Sequence, residues 1–204
     1  MTGEANYSQN NEQEVILDFF SGTPGRFLDI GAFDGVELSN TRALAELGWT
    51  GIMVEPSPCN VCKLIDSIKE FDRRVEVWSC AVSGDGNPAT LRMTTRQDKL
   101  WATTISRDMP DEYIEDQVNV NLCVPTVRIG ELLQHGPFRF ISLDAEWMDF
   151  EILKDAPPGL CGCELLCVEP RGLDERKLMI DYLDVSHGFV VHYETNENII
   201  VRKK

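Results

Sequence analysis

Short apolar runs alternate with amphipathic segments along the first half of this chain, and the alternation predicts strands and helices in turn. The predicted strands are 26–30, 51–55 and 75–81, each bounded by turn residues. Helices are predicted at 12–20, after the N-cap residue Ser39, and along Leu64, Ile65, Ile68 and Phe71, which recur at helical spacing. Elements in this order are typical of a parallel, doubly wound sheet.

The second half continues the pattern after an interruption, the acidic excursion at residues 96–122. This segment carries few apolar and many acidic side chains, so we predict a loop with a short helix near 111–117. Beyond it, the predicted strands are 118–127, 138–143 and 163–168, the helices are 128–134, 148–154 and 175–185, and a closing hairpin joins 189–194 to 199–202. The absence of a repeat or a linker predicts a single α/β domain over 1–204.

Composition and charge narrow the choice of partner. The chain has 204 residues, 43% of them hydrophobic, and its apolar runs fall far short of the roughly 20 residues that a membrane span needs. A net charge of −15 argues against nucleic acid and favours a small molecule or a neutral glycan. The polar N-terminus has no secretory pattern and the seven cysteines have no zinc-site spacing, so a reducing, cytoplasmic location is expected. The sequence leaves the oligomeric state open.

Carboxylates and glycines follow the predicted strands, at the edge where a doubly wound sheet binds its ligand. The first strand contains Asp29 and leads into the turn 31–35, whose glycines let a backbone approach a ligand closely. The second strand ends in Glu55, at the spacing of a carboxylate that binds ribose hydroxyls. Residues 81–82 form a small apolar edge suited to a purine ring. The carboxylates after the later strands are Asp144, Glu146 and Glu169.

The first turn distinguishes two nucleotide cofactors. A dinucleotide site requires Gly-x-Gly-x-x-Gly after the first strand, whereas residues 31–35 read Gly-Ala-Phe-Asp-Gly and lack the second glycine. A cofactor with an amino-acid carboxylate and no phosphate tolerates these side chains, which favours S-adenosylmethionine (SAM) over NAD. Two alternatives stay open: an NAD-dependent oxidoreductase of the same fold class, and a non-catalytic adaptor that keeps the fold.

Several segments, in consistent order along the chain, resemble the FkbM family of methyltransferases. They are Tyr7-Ser-Gln9, Phe27-Leu-Asp-Ile-Gly-Ala-Phe-Asp-Gly35, Ser39-Asn-Thr41, Gly48-Trp-Thr-Gly-Ile52, Val54-Glu-Pro56 and Asp144-Ala-Glu-Trp-Met-Asp-Phe-Glu-Ile-Leu153. Two residues depart from the family pattern, since Trp147 replaces the usual Gly and Asp149 the usual Glu. Both follow Asp144 closely, so they concern the shape of the acceptor pocket rather than the binding of the cofactor.

The resemblance implies a class I methyltransferase fold, with seven strands, the last antiparallel, and helices on both faces of the sheet. It places SAM over the first and second strand ends, with Glu55 on the ribose. The full set of residues expected to bind the cofactor is Asp29, Gly31, Ala32, Phe33, Gly35, Ser39, Glu55, Pro56, Ala81, Val82 and Asp144. Many family members methylate sugar hydroxyls, which implies O-methylation of a sugar or glycan in glycan biosynthesis.

A sugar hydroxyl needs a general base or a metal ion to become a good nucleophile. The candidates for the catalytic role are Asp144, Glu146 and Glu169. Asp144 and Glu169 could together bind Mg²⁺. In the metal-free alternative, which we favour, Asp144 accepts from the cofactor's amino group and Glu146 or Glu169 is the base. We also expect two aromatic residues of the acidic excursion, Trp101 and Tyr113, to help bind the acceptor.

Overall fold

Twelve strands and six helices make up the part of the chain that the structure describes. The structure is a computed structural model and describes residues 5–84, 89–96, 99–104 and 120–204. The strands are β1 (Arg26–Ile30), β2 (Thr50–Val54), β3 (Val75–Trp78), β4 (Ala81–Val82), β5 (Ala89–Arg96), β6 (Lys99–Thr104), β7 (Val120–Val124), β8 (Thr126–Val127), β9 (Phe140–Leu143), β10 (Leu165–Val168), β11 (Phe189–Glu194) and β12 (Ile199–Lys203). The helices are α1 (Glu12–Phe20), α2 (Arg42–Glu46), α3 (Pro58–Ile68), α4 (Ile129–Leu133), α5 (Asp149–Asp155) and α6 (Gly172–Tyr182).

Seven of these strands form one sheet in the order β11-β12-β10-β9-β1-β2-β3. Neighbouring strands from β10 to β3 are parallel, whereas β12 runs antiparallel to both β10 and β11. The expected seven-stranded sheet with an antiparallel last strand is therefore confirmed. The chain builds β1, β2 and β3 outward and then returns to place β9 beside β1. The carboxyl ends of β1 and β9 thus meet where the strand order reverses, which is where such sheets bind ligands.

Alternate residues of the strands face two separate layers of helices. Phe27 on β1 packs in a core with α1, α2 and α3, whereas Leu28 and Ile30 pack in a core with α4, α5 and α6. Burial on both faces is the reason that these strands are continuously apolar. The prediction for the third helical segment fails at one residue, because Ile65 is 52% exposed. It follows Leu64 directly, and a step of one residue turns a helical side chain by about 100° away from the buried face.

The third predicted strand is shorter than expected. It ends at Trp78, and β4 leaves the main sheet to pair in parallel with β8. The neighbouring strand β2 ends before Pro56, which has no N–H group with which to continue a ladder. The N–H group of Ala81 donates instead to the carbonyl oxygen of Pro125, at 2.9 Å. This detour carries residues 81–82 beside the end of β2.

The acidic excursion contains strands that the sequence did not predict. β5, β6 and β7 form an antiparallel sheet in the order β6-β5-β7, so the backbone at 99–104 is a strand and the expectation of a loop there is wrong. The single strand expected at 118–127 contains two separate described strands, β7 and β8, with Pro125 between them. Strand pairing satisfies backbone hydrogen bonds whatever the side chains are, so low apolar content was a poor guide. The helix predicted at 111–117 lies outside the described residues.

Two further sequence expectations concern membrane spans and cysteines. Among the described residues, no helix combines the length and the apolar character that crossing a bilayer requires. All seven cysteines are free thiols.

The backbones that follow β1 and β9 come into direct contact at Gly31. Gly31 has φ +86°, and its N–H group donates to the carbonyl oxygen of Val54 on β2 at 2.9 Å. A Cβ on Gly31 would lie only 1.7 Å from the carbonyl oxygen of Asp144, the first residue after β9. Glycine alone permits both the positive φ and this close approach. The position is therefore required by the fold of the strand ends themselves.

We predict that Gly31→Ala lowers the free energy of unfolding by more than about 3 kcal/mol, because the new methyl group must displace backbone atoms of Asp144. Gly22→Ala is the matched control, since Gly22 has φ +76° and open space around its missing Cβ. We expect that control to cost about 1 kcal/mol from the backbone conformation alone. Urea denaturation of the two variants measures the difference. Equal losses of stability would contradict the proposed contact.

Candidate functional site

A cavity of about 350 Å³ lies at the carboxyl ends of β1, β2 and β9. Twelve of the residues singled out from the sequence line it: Asp29, Gly31, Ala32, Phe33, Ser39, Glu55, Pro56, Ala81, Val82, Asp144, Glu146 and Glu169. We call it the first cavity. The fold thus brings almost all of the expected cofactor-binding and catalytic residues to one place, whereas their roles stay predictions.

Gly35 is the exception among these residues, because it does not line the first cavity. It has φ +74°, and a Cβ there would lie 2.6 Å from Cδ1 of Leu64 on α3. Its N–H group donates to the carbonyl oxygen of Ala32 at 2.9 Å. Gly35 therefore closes the turn and lets α3 pack against it, and its expected role in binding the cofactor stays a prediction. The expectation for Gly31 also changes, since its missing side chain makes room for Asp144 and not only for a cofactor.

Asp29 is a buried carboxyl group on the wall of the first cavity. Its Oδ2 accepts a hydrogen bond from the hydroxyl of Thr41. Burial raises the pKa of Asp29 to about 7, and the hydrogen bond from Thr41 opposes this rise. Ser39 fixes the same segment, because its Oγ accepts from the N–H group of Arg42 at 3.1 Å. The N-cap position is nevertheless Thr41 and not Ser39 as expected, because the helix itself begins at Arg42.

Glu55 is buried at the end of β2 and connects the first turn to α3. Its Oε2 accepts from the N–H group of Phe33 at 3.0 Å, and its Oε1 accepts from the N–H group of Ser57 at 2.8 Å. Asn60 donates to the same Oε1 at 3.4 Å. Burial raises the pKa of Glu55 to about 7, against the lowering effect of these donors. Each carboxylate oxygen has two lone pairs, so Oε1 is already saturated by Ser57 and Asn60, whereas Oε2 can still accept from a ligand in the cavity.

Four carboxyl groups crowd the far side of the cavity, after β9 and β10. Burial and the neighbouring Asp144 raise the pKa of Glu146 to about 7 and that of Glu169 to about 8. Burial also raises the pKa of Asp144 itself and, together with Asp144, raises that of Asp149. The hydrogen bond between the side chains of Asp144 and Glu169 adds to the rise in the pKa of Glu169 and opposes the rise in that of Asp144.

The predicted magnesium site finds no further support in this arrangement. Within the described ranges, no group of three or more His, Cys, Asp or Glu side chains has the arrangement of a metal site. Binding of Mg²⁺ by Asp144 and Glu169 therefore stays a prediction without support from the described residues.

None of the three histidines belongs to the described lining of this cavity. His135 packs edge-on against Trp78, and His192 packs against Phe19. His187 is buried, and burial lowers its pKa. The carboxyl groups are thus the described titratable groups that can act as a base at this site.

A second cavity of about 360 Å³ adjoins the first and shares Asp144, Glu146 and Glu169 with it. Its remaining lining residues are Trp147, Asp149, Pro170, Arg171 and Gly172. The Arg171 guanidinium lies 5.2 Å from the centre of the Trp147 ring. The sequence singled out Trp147 and Asp149 only as departures from a family pattern, and it gave Arg171 no role.

The aromatic residues that the sequence assigned to the acceptor are not placed at either cavity. Tyr113 lies outside the described residues, and for Trp101 the structure describes only the backbone, in β6. Their role stays a prediction. Asn40 and Asn60 line the first cavity without having been predicted. Lone amides give no distinctive sequence signal, although each lies within five residues of a predicted site residue.

Comparisons with known proteins agree with this geometry. Residues 29–190 match the model of the Methyltransferase FkbM domain. The structure of Methyltransferase FkbM from Methylobacillus flagellatus KT is similar with a TM-score of 0.57 at 15% identity, over 88% of this chain and 43% of that one. This chain thus spans less than half the length of that protein. No curated protein matches the sequence.

Two other solved structures have the same fold. The O-methyltransferase from Bacillus cereus in complex with SAH has a TM-score of 0.52 at 15% identity, over 96% of this chain and 81% of that one. A methyltransferase from Geobacter sulfurreducens has a TM-score of 0.56 at 11% identity, over 97% and 80%. The expected class I methyltransferase fold is confirmed. Because the family model covers well over half of its residues, the chain belongs to the FkbM family of methyltransferases.

Proposed function

We propose that this chain is a SAM-dependent O-methyltransferase that methylates a hydroxyl group of a sugar or glycan. The observation that carries the proposal is the first cavity, where a buried carboxylate at the end of β2, a glycine turn after β1 and an apolar edge at 81–82 face the same space. This is the arrangement that a nucleoside linked to an amino acid requires. A family match and the SAH complex of a protein with this fold support the same cofactor.

In this proposal, different residues of the first cavity bind different parts of the cofactor. Glu55 accepts from the ribose hydroxyls while it holds Phe33 and Ser57 through their backbone N–H groups. Ala81 and Val82, both buried and small, border the adenine. Asp144 accepts from the amino group of the methionine part, at the side where the carboxyl groups crowd. When bound, SAM supplies an electrophilic methyl group on a positively charged sulfonium.

Glu169 is the residue that we favour for taking the proton from the acceptor. Like Asp144 and Glu146, it lines both cavities, so it lies between the space for the cofactor and the space beyond it. As the acceptor oxygen forms its bond to the methyl carbon, the carbon–sulfur bond breaks and the hydroxyl proton passes to a carboxylate. A pKa near 8 makes Glu169 a stronger base than an ordinary carboxylate, provided that a nearby cation keeps it ionised. Glu146, with its own raised pKa, is the alternative base.

The first prediction concerns the cofactor contact of Glu55. Glu55→Ala should weaken SAM binding by about 1.5–3 kcal/mol, the range for a hydrogen bond to a charged group. Glu12→Gln is a matched control, because Glu12 is equally buried and accepts from Asn10 and Asn198 but lies outside both cavities. That variant should lose stability and keep its SAM affinity. Isothermal titration calorimetry measures the SAM affinity of both variants. NAD serves as a second ligand, which should not bind. Unchanged SAM affinity in Glu55→Ala would remove the residue from the site.

The second prediction concerns pH. Carboxyl groups with raised pKa values hold protons in the folded protein that the unfolded chain releases above about pH 4.5. The stability of the protein without cofactor should therefore fall as pH rises from about 5 to 8, through the pKa values of Glu55 and Glu169. Chemical denaturation at several pH values measures this slope. A stability that rises over this range would contradict the shifted pKa values.

The raised pKa values of the same carboxyl groups also predict how the affinity for SAM depends on pH. Ionised carboxylates attract the sulfonium, so SAM affinity should increase several-fold between pH 6 and 8. SAH lacks the sulfonium charge and should show a weaker dependence. The ratio of the two affinities separates this effect from any general loss of folding, since both ligands meet the same protein. A constant ratio across this range would show that the carboxyl groups do not interact with the sulfonium.

A further prediction concerns the metal. Because no group of three or more described His, Cys, Asp or Glu side chains has the arrangement of a metal site, we expect EDTA to leave SAM-dependent methyl transfer unchanged. The measurement is transfer of a labelled methyl group to a panel of simple sugars, with EDTA and then with added Mg²⁺. Activity that EDTA abolishes and Mg²⁺ restores would instead support a cation held by these two residues.

A further inference from the structure

Two consecutive residues beside the second cavity adopt a backbone conformation that their side chains disfavour. Glu146 has φ +46° and Trp147 has φ +82°, between the end of β9 and the start of α5. Side chains with a Cβ destabilise the fold in this conformation relative to ordinary backbone conformations. Strain of this kind persists where the surrounding structure imposes it, and it occurs often at ligand sites. The tryptophan side chain should therefore make a contact that offsets this strain.

Trp147 does not contribute to the cores that the structure describes. Ala145 and Met148, on either side of it, pack against the core beneath α4, α5 and α6, whereas Trp147 is in neither described core cluster. Its ring is half-buried and belongs to the lining of the second cavity. A large apolar side chain held in a strained turn beside a cavity is therefore not explained by burial in the core.

The Trp147 ring is held in place by a fixed cation. The Arg171 guanidinium stacks on the ring at 5.2 Å from its centre. Glu175 fixes Arg171 in turn, since it accepts from the Arg171 backbone N–H at 2.6 Å and pairs with the guanidinium at 3.0 Å. Arg171 is thus a positioning residue, and its charge is already paired with a carboxylate on α6.

The charges of the second cavity restrict its ligand. Asp144, Glu146, Asp149 and Glu169 face it, and Arg171 is the one cation among its described lining residues. An anionic ligand would find no free positive charge here, because Arg171 is already paired and each carboxyl group that ionises repels an anion. Carboxylates accept hydrogen bonds from hydroxyl and amine groups, and a flat aromatic ring packs against the C–H face of a saturated ring.

We propose that the second cavity is the acceptor subsite, that an uncharged or amine-bearing sugar ring stacks there on Trp147, and that the carboxylates exclude phosphorylated, nucleotide-linked and uronic sugars. This inference rests on the proposed function for the direction of methyl transfer, but the binding of the sugar does not depend on it. The shared residue Glu169 would then lie between the bound sugar and the cofactor, where the reacting hydroxyl must be.

The test compares four proteins: the natural chain, Trp147→Gly, Trp147→Phe and the control Phe150→Leu. Glycine relieves the positive φ, so Trp147→Gly should fold with an unchanged or higher melting temperature. Phenylalanine keeps an aromatic face and serves as the conservative variant. A third variant, Phe150→Leu, controls for loss of an aromatic ring nearby, because Phe150 packs against Tyr182 and lies outside the second cavity.

The probes are a panel of methyl glycosides and glucosamine, each matched with its 6-phosphate or uronate form. Saturation-transfer NMR in the presence of SAH measures sugar binding, and transfer of labelled methyl groups from SAM measures activity. We expect neutral or amine-bearing members to bind and their anionic counterparts not to bind. Trp147→Gly should weaken sugar binding by about tenfold, the factor for a lost ring-stacking contact, with SAM affinity within about twofold. Trp147→Phe and Phe150→Leu should stay near the natural chain.

The outcomes separate this inference from the proposed function. Sugar binding that depends on Trp147 without any methyl transfer would support the subsite and contradict the methyltransferase proposal. Methyl transfer with equal Michaelis constants in the natural chain and Trp147→Gly would support the proposed function and overturn the subsite. Preference for an anionic sugar, or failure of every sugar of the panel to bind, would also overturn it.

Discussion

The approach of the Asp144 carbonyl oxygen to the backbone of Gly31 sets the geometry on which the candidate site depends. It fixes the distance between the chain after β1 and the chain after β9, because no side chain separates them. The N–H groups of Gly31 and Ala32 both donate to Val54, which locks the end of β2 to the same point. Three strand ends are therefore held at one place by backbone atoms alone. The side chains that follow them have little freedom to move apart.

The crowding of carboxyl groups is the electrostatic consequence of this constraint. Asp144, Glu146 and Glu169 lie on chain segments that the sheet holds together, in a protein whose net charge is −15. Removal from water and mutual repulsion both favour the protonated forms, so the pKa values rise. Such an arrangement stabilises the fold poorly on its own. It suits a site that receives a cation and then accepts a proton, because each event relieves part of the repulsion.

The sequence predicted the parts of this site that depend on local patterns. Apolar runs ending in a carboxylate located Asp29 and Glu55 at strand ends, since burial on both faces leaves few polar positions in such strands. Local patterns in the sequence could not predict the contacts between segments that are distant along the chain. The atom that makes Gly31 necessary belongs to a residue more than 100 positions away, and the contact between the side chains of Asp144 and Glu169 depends on strand order. Gly35 looked the same as Gly31 in the sequence, yet it serves the packing of α3.

The two departures from the family pattern are connected through one turn. Oδ1 of Asp149 accepts from the N–H group of Ala145 at 2.8 Å, which closes the turn that contains Glu146 and Trp147. A glutamate at this position would be one methylene longer and would have to fold back to make the same bond. The short carboxylate of Asp149 thus joins the start of α5 to the residue just before Glu146 and Trp147, the two residues with positive φ. A glycine at 147 would adopt the positive φ without strain, but the second cavity would lose the aromatic ring that lines it. Tryptophan provides this ring although its backbone conformation is disfavoured. A requirement of ligand binding therefore explains the residue at 147 better than a requirement of the fold does.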